Sequence, residues 1–175
     1  MTSSTAAAES TAREATSSPK HVITASIVIP APSERVYSIL ANYREEHPRI
    51  LPPQFSGLVV EKGGIGAGTI IRFGMRIFRR RQTLRAAITE PEPGRVLVET
   101  DLDTNGAVTT FIVDPEATPG QSHVTITTEL KVRKGFLGKV ERFLSTRLLR
   151  PVYIRELELL ALRAAGETLA VGSRQ

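Results

Sequence analysis

Between Gln54 and about Val132, six short runs alternate apolar with polar residues: "FSGLVVEK", "TIIRFGMRIF", "RQTLRAAITE", "RVLVETD", "AVTTFIVD" and "HVTITTELKV". A period of two puts one side of each run toward a core and the other toward water, so each reads as a half-buried strand. Glycines, "EPEPG", "DTNG" and "PEATPGQ" separate the runs. Such links turn the chain but are too short for a crossover, so the six strands form an antiparallel meander. A seventh strand precedes them in "HVITASIVI", with Ile23, Ala25, Ile27 and Ile29 on one face. The resulting apolar sheet face must be covered. "SERVYSILANY" offers a short helix, with Ser33 as N-cap and Val36, Ile39, Leu40 and Tyr43 on one side. "REEHPRILPP" is broken by prolines and holds at most one further helical turn. The remaining cover is the stretch from Phe136 to about Thr168. Its apolar residues Leu137, Val140, Leu144, Leu148, Ile154, Leu157, Ala161 and Ala164 recur at helical spacing. Pro151 removes a hydrogen bond inside it and predicts a kink or break. The fold class is therefore α+β: a seven-stranded, curved antiparallel sheet around a long C-terminal helix, in the order β-α-α-β6-α.

"EKGGIGAGTIIRF" places four glycines between residues 63 and 68. A phosphate-binding glycine loop leads from a strand into a helix, and the Walker form adds Lys-Ser or Lys-Thr. Here "TIIRFGMRIF" follows and alternates as a strand. These glycines predict a tight turn or bulge between strands, where positive φ is needed.

The 175 residues, 41% of them hydrophobic, suit one globular domain over residues 21–168. Residues 1–20 carry no hydrophobic segment and read as a disordered tail, and 169–175 as a flexible C-terminus. Neither a secretory signal nor a spanning segment is seen, and the cytoplasm is the expected location. The chain lacks cysteine, and His21, His47 and His123 show no ligand spacing, so neither a metal nor a cofactor is expected. The formal net charge is +5. Residues 131–155 alone carry eight basic residues and one acid, and "RIFRRR" forms a second cluster at 76–81. Solvated faces explain such clusters; the alternative is peripheral contact with an anionic membrane or RNA.

"ASIVIPAPSERVYSILANYREEHPRILPPQF", "GGIGAGTIIRF", "TEPEPGRVLVE" and "TTFIVDPEATPGQSHVTITTEL" together resemble the START-like superfamily, also called Bet v 1-like or SRPBCC. The resemblance covers about residues 21–168 and is nearest to the polyketide cyclase/dehydrase and lipid-transport branch. It implies a helix-grip fold with a hydrophobic cavity between sheet and C-terminal helix, holding a lipid, polyketide or isoprenoid-like molecule. It implies three functions. The first is binding or transport of such a ligand. The second is a cyclase or dehydratase needing neither metal nor nucleotide. The third is a quinone-chaperone-like or membrane- or RNA-associated protein using the 131–155 stretch. Many relatives carry an aromatic residue, often Trp, after the first helices. This chain has "ILPPQF" there and no Trp.

Alternation and helical spacing nominate Phe73, Met75, Leu84 and Phe111 on the sheet as cavity walls. On the helix they nominate Phe143, Leu144, Tyr153 and Leu157. Apolar periodicity marks burial and not a site, so each reads first as ordinary core. Small residues at Ala25, Gly74, Ala86 and Ala87 would leave space. Tyr43 and Tyr153 hydroxyls could orient a carbonyl. His47 and Tyr153 are the candidate proton-transfer residues. The position of His47 before Pro48, on an irregular segment, also predicts an exposed loop histidine. Glu99 and Glu129 interrupt strands and are expected to face solvent, as are Arg72 and Arg76; an inward acid would be a catalytic candidate.

Overall fold

The structure is a computed structural model that describes residues 19–77, 80–103 and 106–172. The tail expected over residues 1–20 lies outside the described residues except for Pro19 and Lys20, as do positions 78 and 79 of the "RIFRRR" cluster and 173–175 of the expected flexible C-terminus.

Strand β1 (Lys20–Ile29) leads into helix α1 (Ser33–Ala41) and a single-turn helix α2 (His47–Ile50). Six strands follow: β2 (Phe55–Lys62), β3 (Ile70–Ile77), β4 (Arg80–Glu92), β5 (Val96–Asp101), β6 (Val108–Pro115) and β7 (Ser122–Lys131). Helix α3 (Gly135–Gly172) closes the chain. The sheet runs β1-β7-β6-β5-β4-β3-β2, all antiparallel, so β1 zips onto the last strand of the meander. The expected helix-grip architecture is the observed one. Register shifts in β2 and in β4 mark bulges, which bend strands and tighten their twist.

Two rows of residues cross the inner face and set its character. Ala25, Ile126, Phe111 and Leu97 stand opposite one another on β1, β7, β6 and β5, and all are buried. The neighbouring row reads Ile23, Thr128, Thr109, Glu99 and Ile88. Three polar side chains thus sit in the middle of an otherwise apolar face. The outer face carries the exposed Val22 and Val28, together with Glu129, ion-paired to Lys20 at 2.8 Å. Arg72 and Arg76 are exposed, as expected, and Arg72 pairs with Glu61.

The glycine loop lies between β2 and β3, as its alternating flanks require. Gly63, Gly64, Gly66 and Gly68 all have positive φ. The loop also docks. Tyr43 N–H donates to the Gly64 carbonyl, and Gly66 N–H donates to the Ala41 carbonyl, both at 2.9 Å. A side chain at Gly66 would run into the Glu90 carboxylate, which accepts from Ala67 N–H at 2.7 Å and from Tyr37 O–H at 2.6 Å. The glycines therefore let the hairpin backbone press against the end of α1, where the site begins.

Three local expectations change. The residue capping α1 is Pro32, in extended backbone, and Ser33 is the first helical residue without a side-chain cap. His47 opens α2 and is buried, not on an exposed loop. Helix α3 neither stops at Thr168 nor breaks at Pro151; it is continuous to Gly172 with Pro151 inside it. The buried Val152, Tyr153, Leu157 and Leu160 anchor the turns after the proline, and packing outweighs the lost hydrogen bond. Helix α3 packs on β1, α1 and α2, and Arg163, in its C-terminal half, grips Glu46 through two bonds of 2.6 and 2.8 Å.

Candidate functional site

A cavity of about 730 Å³ lies between the inner faces of β2–β7 and the N-terminal half of α3, with α2 at its inner end. That volume exceeds the roughly 300 Å³ at which small-molecule sites begin. Its wall is mostly apolar. Phe73, Met75, Leu84, Phe111, Leu144 and Tyr153, all nominated from the sequence, line it, and so does Ala86 among the expected thin spots. Leu157 is completely buried and Tyr43 lies behind the wall; both belong to the core. Phe143 corrects the list of walls: it sits on the outer flank of α3 and is 67% exposed. Its spacing from Leu144 allowed either face, and packing turned Leu144 to the cavity rim.

His47 lines the cavity, although only 2% of its surface is exposed. Asn42 ends α1 and its carbonyl accepts from His47 N–H at 2.8 Å, folding the chain back so that the imidazole stacks on Tyr43 (centroids 4.3 Å apart) and meets the edge direction of Phe111 at 6.0 Å. His47 Nδ1 is 2.7 Å from the Leu40 carbonyl. A carbonyl only accepts, so Nδ1 carries the hydrogen and Nε2 keeps its lone pair in the neutral ring. That nitrogen is 3.8 Å from Glu99 Oε1. Burial pushes the His47 pKa below the usual imidazole value, and the Glu99 charge partly opposes this.

Glu99 reverses its expected orientation. The run "VLVETD" is apolar on both faces, so alternation alone could not choose. Pairing decides: Leu97 faces Phe111, and Glu99 faces Thr109, on the inner side. Glu99 lines the cavity, and its Oε1 accepts the Tyr43 hydroxyl at 2.6 Å. Burial, then the Glu99 charge and hydrogen bond, push Tyr43 well up, so its hydroxyl stays a donor.

Glu156 was not nominated at all. It lines the cavity from α3, is 4% exposed, and its pKa is pushed up to about 8, first by burial and then by the Glu99 charge. The available signal was its place among Leu149, Tyr153 and Leu160, an acid at helical spacing within a buried stripe. Tyr153 donates to Thr128 Oγ1 at 2.7 Å, and Thr128 meets Thr109 Oγ1 at 2.8 Å. Its tip is therefore buried and hydrogen-bonded, not wet. Burial raises the Tyr153 hydroxyl to about 12.

The cavity is thus greasy over most of its surface, with His47, Glu99, Glu156 and Tyr153 converging on it. At neutral pH this set offers an unprotonated imidazole nitrogen and a protonated carboxyl in one largely apolar cavity, a combination suited to proton transfer. Among the described residues no group of three or more His, Asp or Glu side chains is placed to hold a metal ion. No described helix is long and apolar enough to cross a membrane.

Similarity to known proteins agrees with this geometry. The sequence profile of the polyketide cyclase/dehydrase and lipid transport family matches residues 20–165. A search of curated protein sequences found no match. Solved structures share the fold at low identity. The KanY protein aligns with a TM-score of 0.73 at 24% identity, over 84% of this chain and 99% of its own. The ZhuI aromatase/cyclase from Streptomyces sp. R1128 aligns at 0.73 with 13% identity, over 88% and 99%. A norcoclaurine synthase point mutant from Thalictrum flavum, in complex with a transition-state analogue, aligns at 0.68 with 15% identity, over 87% and 99%. The architecture is the helix-grip fold of the START-like, or Bet v 1-like, superfamily, and the chain belongs to its polyketide cyclase/dehydrase and lipid transport family.

Proposed function

We propose that this protein encloses an apolar, carbonyl-bearing small molecule and moves protons on it, as a cyclase or dehydratase of polyketide-like substrates does. The observation that carries the reading is the convergence of His47, Glu99, Glu156 and Tyr153 on one largely apolar cavity. A simple carrier gains nothing from burying two carboxyls and an imidazole, each of which costs desolvation. In the proposed chemistry, His47 Nε2 takes a proton from the carbon beside a carbonyl. The charge of Glu99 steadies the imidazolium that forms. Glu156 gives its proton to the carbonyl oxygen, producing an enol. The enol carbon then bonds to a second carbonyl carbon of the same chain and closes a ring: the second carbonyl's π bond breaks and its oxygen takes the proton from the His47 imidazolium, while the enol O–H proton returns to Glu156 and re-forms the first carbonyl. Loss of that new hydroxyl with a proton from the neighbouring carbon, as water, leaves a carbon–carbon double bond. Phe73, Met75, Leu84 and Phe111 supply shape and exclude water, which brings the reacting carbons together.

A carrier for a hydrophobic ligand is the second reading, favoured by the predominantly apolar wall. One experiment separates the two. The probe is 2-acetylnaphthalene, whose methyl protons exchange slowly with deuterated water. The proposal expects native mass spectrometry to detect the complex and NMR to show accelerated exchange. Glu99→Gln and Glu156→Gln should keep binding while slowing exchange by roughly 10²–10⁴-fold, the usual worth of a positioned acid or base. Binding without accelerated exchange in the wild type would leave the carrier reading; no binding of any apolar ligand would remove both.

A further inference from the structure

The first three turns of α3 carry an apolar stripe that faces solvent. Phe136 is 79% exposed, Phe143 67% and Leu137 57%, with Val140 and Leu144 at 38%. Spacings of three and four residues place them on one side of the helix. Basic residues frame the stripe. Lys131, Lys134, Lys139, Arg142, Arg147 and Arg150 are exposed, and none forms an ion pair among the described residues. The nearby acid, Glu141, is already held by Arg133. On the outer flank, Arg142, Arg147 and Arg150 surround a shallow depression of about 530 Å³ between α3 and the start of β1, beside Phe143 and Pro151. The patch also borders the cavity, since Lys131, Arg133, Leu144 and Leu148 belong to the cavity wall.

We propose that this face docks on an anionic lipid bilayer, with Phe136, Leu137, Val140 and Phe143 entering the interface and the arginine-lined depression taking a lipid phosphate headgroup. A helix with aromatic and aliphatic side chains outward and cations at its flanks lies in the interfacial plane of such a membrane. RNA offers the cations a partner but gives Leu137 and Val140 nothing to bury against. A second copy of the chain would set like charges opposite one another across an isologous contact. Because the patch borders the cavity, docking turns the mouth toward the bilayer and gives an oily ligand a path that avoids water. The inference rests on the geometry of this rim and holds whether or not the cavity is catalytic.

The test is flotation of the full chain with phosphatidylcholine vesicles made with and without phosphatidylglycerol. Binding is expected only with phosphatidylglycerol and should weaken as salt rises. Arg142→Ala and Arg147→Ala should each weaken it about fivefold. Phe136→Ser and Phe143→Ser should each weaken it on the order of tenfold. These positions are exposed, and an unchanged melting temperature confirms that each variant folds. Equal binding to neutral vesicles, binding unaffected by the variants, or a preference for RNA over vesicles would overturn the proposal. So would a solution dimer that the phenylalanine variants dissociate.

Discussion

Glu156 is an ordinary residue by composition and an unusual one by place. Buried on α3 within the field of Glu99, its carboxyl keeps its proton up to about pH 8 in the folded protein, against 4.5 for a free side chain. The unfolded chain releases that proton earlier, so stability is lost as pH rises from about 4.5 to about 8. His47 works in the opposite sense: its pKa is lowered, and stability falls as pH drops below 6.5. As pH rises past 6.5 the imidazole becomes neutral in the unfolded state as well, its opposing slope fades, and the Glu156 slope dominates. Urea denaturation between pH 6.5 and 8 should show a decline of up to about 1.4 kcal/mol per pH unit. Glu156→Gln, which mimics the protonated acid, should flatten it; an equally steep decline in the variant would show that the carboxyl is not held in this way. The same burial explains why His47 and Glu99 were misjudged from their neighbours in sequence. A proline-flanked histidine and an acid between Val98 and Thr100 look exposed until the strand pairing is known.

At the scale of elements, α3 carries the greatest tension between local preference and tertiary packing. Pro151 sits on its exposed side, within a continuous helix whose other side is buried through Leu149, Val152, Tyr153, Glu156 and Leu157. An interior proline costs about 3 kcal/mol relative to alanine in a helix. Pro151→Ala restores the amide donor toward the Arg147 carbonyl and should raise stability by about 1–3 kcal/mol, read as a higher melting temperature. An unchanged or lower value would mean that the proline's geometry is needed for the packing around it. The elements themselves were legible. Alternation located all six strands of the meander to within a few residues, and helical spacing located α3. Local pattern did not supply the partner of β1, because any edge of the meander satisfies the same alternation.

Across the whole molecule, the cavity arises from how α3 is held. Its C-terminal half is fastened by Leu157, Leu160, Ala164 and the Arg163–Glu46 pair, while its N-terminal half spans the bent sheet without filling it. An apolar ligand occupying that space binds only the folded state. At a concentration near 100 times its dissociation constant it should add about 2.7 kcal/mol. For a chain of this size that is a rise of about 5–10 °C in melting temperature. Ala86→Phe projects a ring into the cavity from β4 and should abolish this shift with the unliganded protein still folded; a shift of undiminished size would place the ligand elsewhere. The amino-acid sequence by itself determined the elements, their order, the turn role of the glycines and the family, since periodicity and turn chemistry act over a few neighbouring residues. Only the tertiary structure decided which face of β5 looks inward, that His47, Glu99, Glu156 and Tyr153 share one chamber, and that Phe143 stays outside it. Those outcomes depend on strand register and on the seating of one long helix, and both are set by contacts between residues far apart in the chain.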